Sequence, residues 1–220
     1  MKKVVVRGPL LSQSGYGEHA RFIFRSLVSR PDLFDVYAIA VGWGKTGWIM
    51  EDSEERDKID EILAKTVNHV QQGGHFDISL QVTIPGEFEK MAPINIGVTA
   101  GTETNKISPE WLSKCLEMDK IIVVSEHTKN SIVETKYTAT HNATGQTVIA
   151  QVNCPVDVIH YPVKSYKKAK LVFTTNPTSS SSNASTNHLI VLSMFFLGIH
   201  VPTVKKFVSY LRSNPSLVFL

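Results

Sequence analysis

Residues 4–29, VVVRGPLLSQSGYGEHARFIFRSLVS, decide the fold. An apolar run, a polar loop holding Gly15-Tyr16-Gly17 and an amphipathic segment follow in that order, which predicts strand, glycine loop and helix. After the loop, Ala20, Phe22, Ile23, Phe24 and Leu27 include pairs three and four apart, so one stripe faces a sheet while Arg21 and Arg25 face outward. Glu18 falls in the first turn, where a negative charge suits the positive helix end. Two glycines at a loop-helix junction let a backbone approach a ligand closely, and the unpaired N–H groups beyond them suit phosphate or carboxylate. The same glycines serve equally well to turn the chain into its helix. Both readings stay open on this stretch alone.

A dinucleotide site is the first candidate, because Gly15-x-Gly17-x-x-Ala20 fits the loose form of that fingerprint. The spacing opposes it. Eight residues, Arg7 to Ser14, separate Val6 from Gly15, whereas the fingerprint's first glycine closes its strand directly. The next predicted strand, Val36 to Val41, is followed by Gly42 and Trp43 rather than by an acid for the ribose, and Asp35 lies at its wrong end. Gly44-Lys45-Thr46 ends like a phosphate-binding P-loop but has Ile39 where the first glycine belongs.

With 220 residues and 42% hydrophobic content the chain can bury a substantial core. A net charge of +3 calls for no nucleic-acid partner. Cys115 and Cys154 form no C-x-x-C pair, and Met1-Lys2-Lys3 runs straight into a strand without the features of a signal peptide, so a cytoplasmic location is expected. The eight histidines form no H-E-x-x-H or comparable cluster, and no metal is expected.

The strand-helix alternation continues. Residues 54 to 72 place Ile59, Ile62, Leu63, Val67 and Val70 on one helical face, with acids crowded at the start. Strands are predicted at Phe76 to Val82, Ile94 to Thr99 and Ile121 to Ser125, with helix at Trp111 to Met118 and His127 to Glu134. Strands separated by helices imply a mostly parallel sheet. Right-handed crossovers then gather the strand ends at Thr83, Thr99 and Ser125 beside the Gly15 loop, and a ligand crevice belongs at that edge.

Four segments, GPLLSQSGYGEHAR, ISLQVTIPGEFEKMAPINIGVTAGTETNKISPEWL, MDKIIVVSEHTKNSI and VIHYPV, in this order and spacing, resemble the N-terminal half of a GT-B glycosyltransferase of the family-four type found in surface-polysaccharide assembly. The resemblance spans residues 4 to about 163. It implies a Rossmann-like α/β domain with flanking helices that faces a second such domain across a cleft. The acceptor, a glycan or other hydroxyl compound, would be held mainly by the first domain and the nucleotide-sugar donor mainly by the second. It implies no cofactor, the nucleotide sugar being a substrate, and usually no metal. On this likeness Ser14, Gly15, Tyr16 and Gly17 approach donor phosphate and acceptor, while Glu103, Ser125, Glu126 and His127 line the same crevice. Pro85, Gly86 and Glu87 occupy the stretch where many relatives carry a histidine that contacts the reacting sugar, leaving Glu87 as the candidate for that role. Each residue also has a plainer reading. Ser125 suits a helix N-cap, Glu126 a first-turn acid, His127 and Glu103 solvated surface, and Tyr16 a cover for its loop.

Beyond Asp157 the composition changes. Up to that residue there are 16 Lys and Arg against 20 Asp and Glu, and from 158 to 220 seven against none. Residues 1–163 are expected to form the Rossmann-like domain. Residues 164–188 include a stretch, Thr174 to Asn187, with Ser, Thr or Asn at 12 of 14 positions, and are expected to be a flexible linker. Residues 189–220 are expected to be an irregular apolar and basic tail, truncated or aberrant. Its run from Leu189 to Ile199 is 11 residues long, too short for a bilayer that needs about 20. Lys205, Lys206 and Arg212 would add weak attraction to an anionic membrane surface. Three functions remain open at this point: an incomplete glycosyltransferase that transfers sugar weakly by itself, a non-catalytic ligand- or partner-binding module, and a nicotinamide-dependent oxidoreductase disfavoured by the loop spacing.

Overall fold

A computed structural model describes residues 1–140 and 147–161. The expected linker and tail lie outside the described residues. Six strands form one sheet in the order β2-β1-β3-β4-β5-β8. They are β1 (Lys2–Gly8), β2 (Phe34–Ala40), β3 (Ile78–Val82), β4 (Ile94–Thr99), β5 (Lys120–Val123) and β8 (Val156–Val158). Every neighbouring pair is parallel. The helices are α1 (Gly15–Val28), α2 (Glu54–Gln71), α3 (Pro109–Cys115) and α4 (Glu126–Val133). The domain is thus α/β with a parallel sheet and flanking helices, consistent with a Rossmann-like architecture.

The side-chain alternation of the strands sorts the core into two layers. In register, Val4, Val6, Ile78, Leu80, Val82, Ile96 and Val98 share one face and pack with Ala20, Ile23, Phe24 and Leu27 of α1. Ile121 and Val123 point the other way, into a cluster with Phe88, Leu112, Cys115 and Ile132. On that second face the sheet also buries Ser79, Gln81 and Asn95. Their amides are satisfied by the loop that follows β3: Asn95 Oδ1 accepts from the N–H groups of Met91 (2.9 Å) and Ala92 (3.1 Å), and Gln81 Oε1 from that of Glu89 (3.0 Å). Buried polar groups are affordable where every one finds a partner.

Two expectations about side-chain direction are corrected. Arg21 does not face outward; it is 6% exposed and donates to the carbonyls of Leu10 and Ser12, each at 2.9 Å. Those carbonyls belong to the loop leaving β1, which turns away from any strand partner and needs a donor from elsewhere. Val67 and Val70 are not in the core either, being 54% and 52% exposed, and the buried stripe of α2 is Ile59, Ile62 and Thr66. The cause is the edge strand β2. Thr66 Oγ1 accepts from the Ala38 N–H (2.9 Å) and Lys65 Nζ donates to the Val36 carbonyl (2.9 Å). A polar residue on that face of α2 covers part of the sheet edge, which would otherwise be open to another chain.

Three elements were not expected from the sequence. A 3-10 turn spans Pro85–Glu87, a short hairpin joins β6 (Tyr137–Thr140) to β7 (Thr147–Ala150), and β8 extends the sheet. No helix among the described residues is long and apolar enough to cross a membrane.

Candidate functional site

The strand order reverses direction between β1 and β3, because the chain leaves β1 towards β2 and leaves β3 towards β4. Crevices of parallel sheets open at the carboxyl ends of the strands where this happens. Here that place is occupied by the loop 9–14 and the start of α1. Ser14 is the helix N-cap, and its Oγ accepts from the Gly17 N–H at 3.0 Å. The N–H groups of Gly15 and Tyr16 precede the first intrahelical hydrogen bonds and have no partner within the helix. Gly15 is exposed, with open space where a side chain would stand, whereas Gly17 is buried. A Cβ at Gly17 would lie 2.1 Å from the Ser12 carbonyl oxygen, so glycine is required there by the protein's own loop.

Tyr16 links the start of α1 to the end of β4. Its hydroxyl is 3.0 Å from Thr99 Oγ1 at the end of β4 and accepts from the Ala100 N–H at 3.1 Å. Ala100 in turn accepts from Thr128 Oγ1 (2.9 Å), and Thr128 is held by Ser125, the N-cap of α4. Of the three strand ends expected beside the Gly15 loop, Thr99 and Ser125 are joined to it through this chain of hydrogen bonds, while Thr83 Oγ1 takes no part in it. Gly101 makes the close approach feasible: its φ is +85°, and a Cβ would stand 2.1 Å from Thr128 Cγ2. Glu126 and His127 are exposed on the first turn of α4, and Glu103 is exposed on the loop after Gly101. Glu87 is elsewhere. Its carbonyl accepts from Arg7 at 3.0 Å, and Arg7 sits on the sheet face opposite to α1, where Val5 and Gln81 also point. The side chain of Glu87 is exposed on the 3-10 turn.

Several site residues were not singled out from sequence. The loop after β2 is bound to the loop after β1 by Gln13 N–H to Gly47 O (2.8 Å), Ile49 N–H to Leu11 O (2.9 Å) and a 2.6 Å contact between the hydroxyls of Ser12 and Thr46. This brings the Trp43 ring to 4.5 Å from the Tyr16 ring. On the other side, Tyr161 packs edge-on against His19 of α1 at 4.8 Å. His19 is 6% exposed and burial pushes its imidazole down to about 4, so the ring is neutral at pH 7. Among the described residues its Nδ1 is buried without a hydrogen-bond partner, as is Thr83 Oγ1 at the end of β3. Aromatic residues in a loop of changing periodicity give no sequence signal for such meetings.

The charges near α1 are internally paired. Burial raises the Glu18 carboxyl, but Arg25 and then Arg21 more than offset this and hold it below the usual carboxylate value. Arg25 also reaches Glu55 of α2 at 2.7 Å. Neither cysteine is poised for nucleophilic work, since burial pushes Cys115 up to about 12 and Cys154 up to about 11. Among the described residues no group of three or more His, Cys, Asp or Glu side chains is disposed to hold a metal ion.

The fold is that of an α/β protein with a parallel sheet and flanking helices, and the candidate site lies at the carboxyl edge of that sheet. Compared with models of known protein families, with curated proteins and with solved structures, the chain gives no match.

Proposed function

We propose that residues 1–163 are the acceptor-side domain of a GT-B glycosyltransferase, which transfers a hexosyl group from a nucleoside diphosphate sugar to a hydroxyl of a glycan or similar acceptor in the cytoplasm. The observation that carries this reading is the Gly15 edge: an open glycine at the first turn of α1, two N–H groups outside the helix's own bonding, and a neutral aromatic wall of Tyr16, Trp43 and Tyr161. Amide N–H groups at a helix start suit phosphate oxygens, and aromatic faces suit the apolar faces of sugar rings. Loss of the donor diphosphate develops negative charge, and fixed dipoles aimed at it stabilise the transition state without reorganising. In the proposed roles Ser14 shapes the first turn, Gly15 and Tyr16 face the ligand, and Gly17 lets the loop close on its helix. Glu103, Glu126 and His127 contact the acceptor from the rim. Glu87 is the weaker candidate for the chemical step, because its backbone is anchored to Arg7 on the far face of the sheet.

The dinucleotide oxidoreductase is less well supported, since Trp43 rather than an acid follows β2 and packs on Tyr16. The test is a radiolabelled-sugar transfer assay on the full chain, alone and joined to a donor-binding domain. Transfer that Gly15→Val reduces by about 100-fold, because its side chain fills the open space at the helix start and displaces the ligand while the backbone N–H stays, supports the proposal. Transfer untouched by Gly15→Val, or none from any nucleotide sugar in either form, contradicts it.

A further inference from the structure

The Gly44-Lys45-Thr46 triplet, which ends like a phosphate loop in sequence, uses its hydroxyl inside the protein. Thr46 Oγ1 donates to the Trp43 carbonyl at 2.7 Å, and the Thr46 N–H reaches the same oxygen at 3.2 Å. The turn 43–46 is closed by these bonds, with Gly44 at a φ of +53°. A hydroxyl has one proton, and that of Thr46 is committed to the carbonyl, so the 2.6 Å contact with Ser12 is a bond that Ser12 donates. Ser12 is itself fixed: it is 6% exposed, and its carbonyl accepts from the buried Arg21 of α1 at 2.9 Å. A line of hydrogen bonds runs from α1 through Ser12 and Thr46 to Trp43. The Trp43 ring lies 4.5 Å from the Tyr16 ring, with 33° between their planes.

Resting on the glycosyltransferase reading, we propose that Thr46 is a positioning residue of the candidate site: bonded to Ser12 and to Trp43, its hydroxyl holds the Trp43 ring against Tyr16 as part of the wall on which a sugar ring packs. Backbone bonds tie this loop to β1 and the loop after it at Val41 (to Gly8, 3.0 Å), Gly47 (from Gln13, 2.8 Å) and Ile49 (to Leu11, 2.9 Å), on either side of the turn. The Thr46 hydroxyl fixes the turn that carries the ring. Its aim matters because packing attraction is short-ranged, and a gap of about 0.5–1 Å forfeits about a quarter to a half of it. Trp43 and Tyr16 are both partly exposed, as rings that meet a ligand must be.

Nuclear Overhauser spectra and calorimetric titration with UDP-glucose test this on the full chain, in the wild type and in Thr46→Val, Thr46→Ser and Ser12→Ala. Valine keeps the shape of threonine without its hydroxyl, whereas serine keeps the hydroxyl. Thr46→Val is expected to weaken the cross-peaks between the Tyr16 and Trp43 rings and to weaken UDP-glucose binding by about tenfold, the share of affinity that one aromatic contact carries. Thr46→Ser is expected to keep both near the wild-type level, a rescue that loss of stability alone does not predict. Ser12→Ala breaks the same line from its other end and is expected to act like Thr46→Val, which decides the matter should the valine variant not fold. Ring cross-peaks unchanged in Thr46→Val and Ser12→Ala overturn the proposal, because the backbone bonds alone would then hold Trp43 in place. Weakened cross-peaks with unchanged affinity overturn it too. A wild-type chain that binds no UDP-glucose overturns the glycosyltransferase reading and this proposal with it, whereas binding with unchanged cross-peaks overturns the role of Thr46 alone.

Discussion

The Tyr16 hydroxyl lies 3.0 Å from Thr99 Oγ1, joining the first turn of α1 to the end of β4. The same oxygen accepts from the Ala100 N–H at 3.1 Å, so one phenol ties the helix start to the loop after β4. Tyr16→Phe keeps the ring against Trp43 and removes both bonds. Stability is expected to fall by about 1–2 kcal/mol, the cost of leaving partly buried partners unpaired, and ligand affinity to fall with it. Urea titration measures the first effect, and an unchanged midpoint would show that the two elements are held without the hydroxyl.

Gly15 and Gly17 are expected to separate cleanly. Gly17→Ala drives a methyl to within 2.1 Å of the Ser12 carbonyl and should cost about 3 kcal/mol or prevent folding. Gly15→Ala meets nothing within 4 Å among the described residues and should leave stability within about 0.5 kcal/mol. Thermal melts of the two variants decide, and equal losses would contradict the distinction.

Arg21 fixes the loop after β1 through two carbonyls and is paired with Glu18 at 3.0 Å. Arg21→Met retains much of the apolar stem but strands both carbonyls, with an expected loss of about 3 kcal/mol. Amide hydrogen exchange should rise first in residues 10–14. Faster exchange confined to other regions would show that the loop holds itself.

His19 predicts an acid dependence. Its pKa is lowered from 6.5 to about 4 by burial. Above pH 6.5 both folded and unfolded chains carry a neutral ring, and the residue adds no dependence. Below it the unfolded chain gains a proton that the folded chain refuses, so stability falls as pH drops from about 6.5 to about 4 and the loss then levels off. The whole effect is about 3 kcal/mol. His19→Phe should flatten this window in denaturant titrations; the same slope in both proteins would place the titration elsewhere.

What the sequence revealed and what it hid follow from the range of the interactions involved. Ile94–Thr99 is a strand with the bounds that its apolar run predicts, and Ser125 caps α4 as its position before a helical segment suggests, because both depend on neighbours in sequence. The burial of Arg21 and Thr66 depends on carbonyl and amide groups of a distant loop and an edge strand, which no periodicity records. The hairpin of β6 and β7 exposes Val148 and Ile149 at 54% and 71%, so its apolar residues mark no buried face. Gly15, Tyr16 and Gly17 were legible as a loop-helix junction, whereas Trp43, Tyr161 and His19 come beside it only through the packing of three separate segments.

The central claim is that the Gly15 edge holds a nucleoside diphosphate sugar in preference to a nicotinamide dinucleotide, and thermal shift of the full chain against both tests it most directly. Ligand at about 100 times its Kd adds about 2.7 kcal/mol of stability, a rise of several degrees for a protein of this size. The expected result is such a rise with a nucleoside diphosphate sugar, abolished by Gly15→Val, and none with the nicotinamide dinucleotide. A rise with the nicotinamide dinucleotide alone, or one that survives Gly15→Val undiminished, would contradict the account.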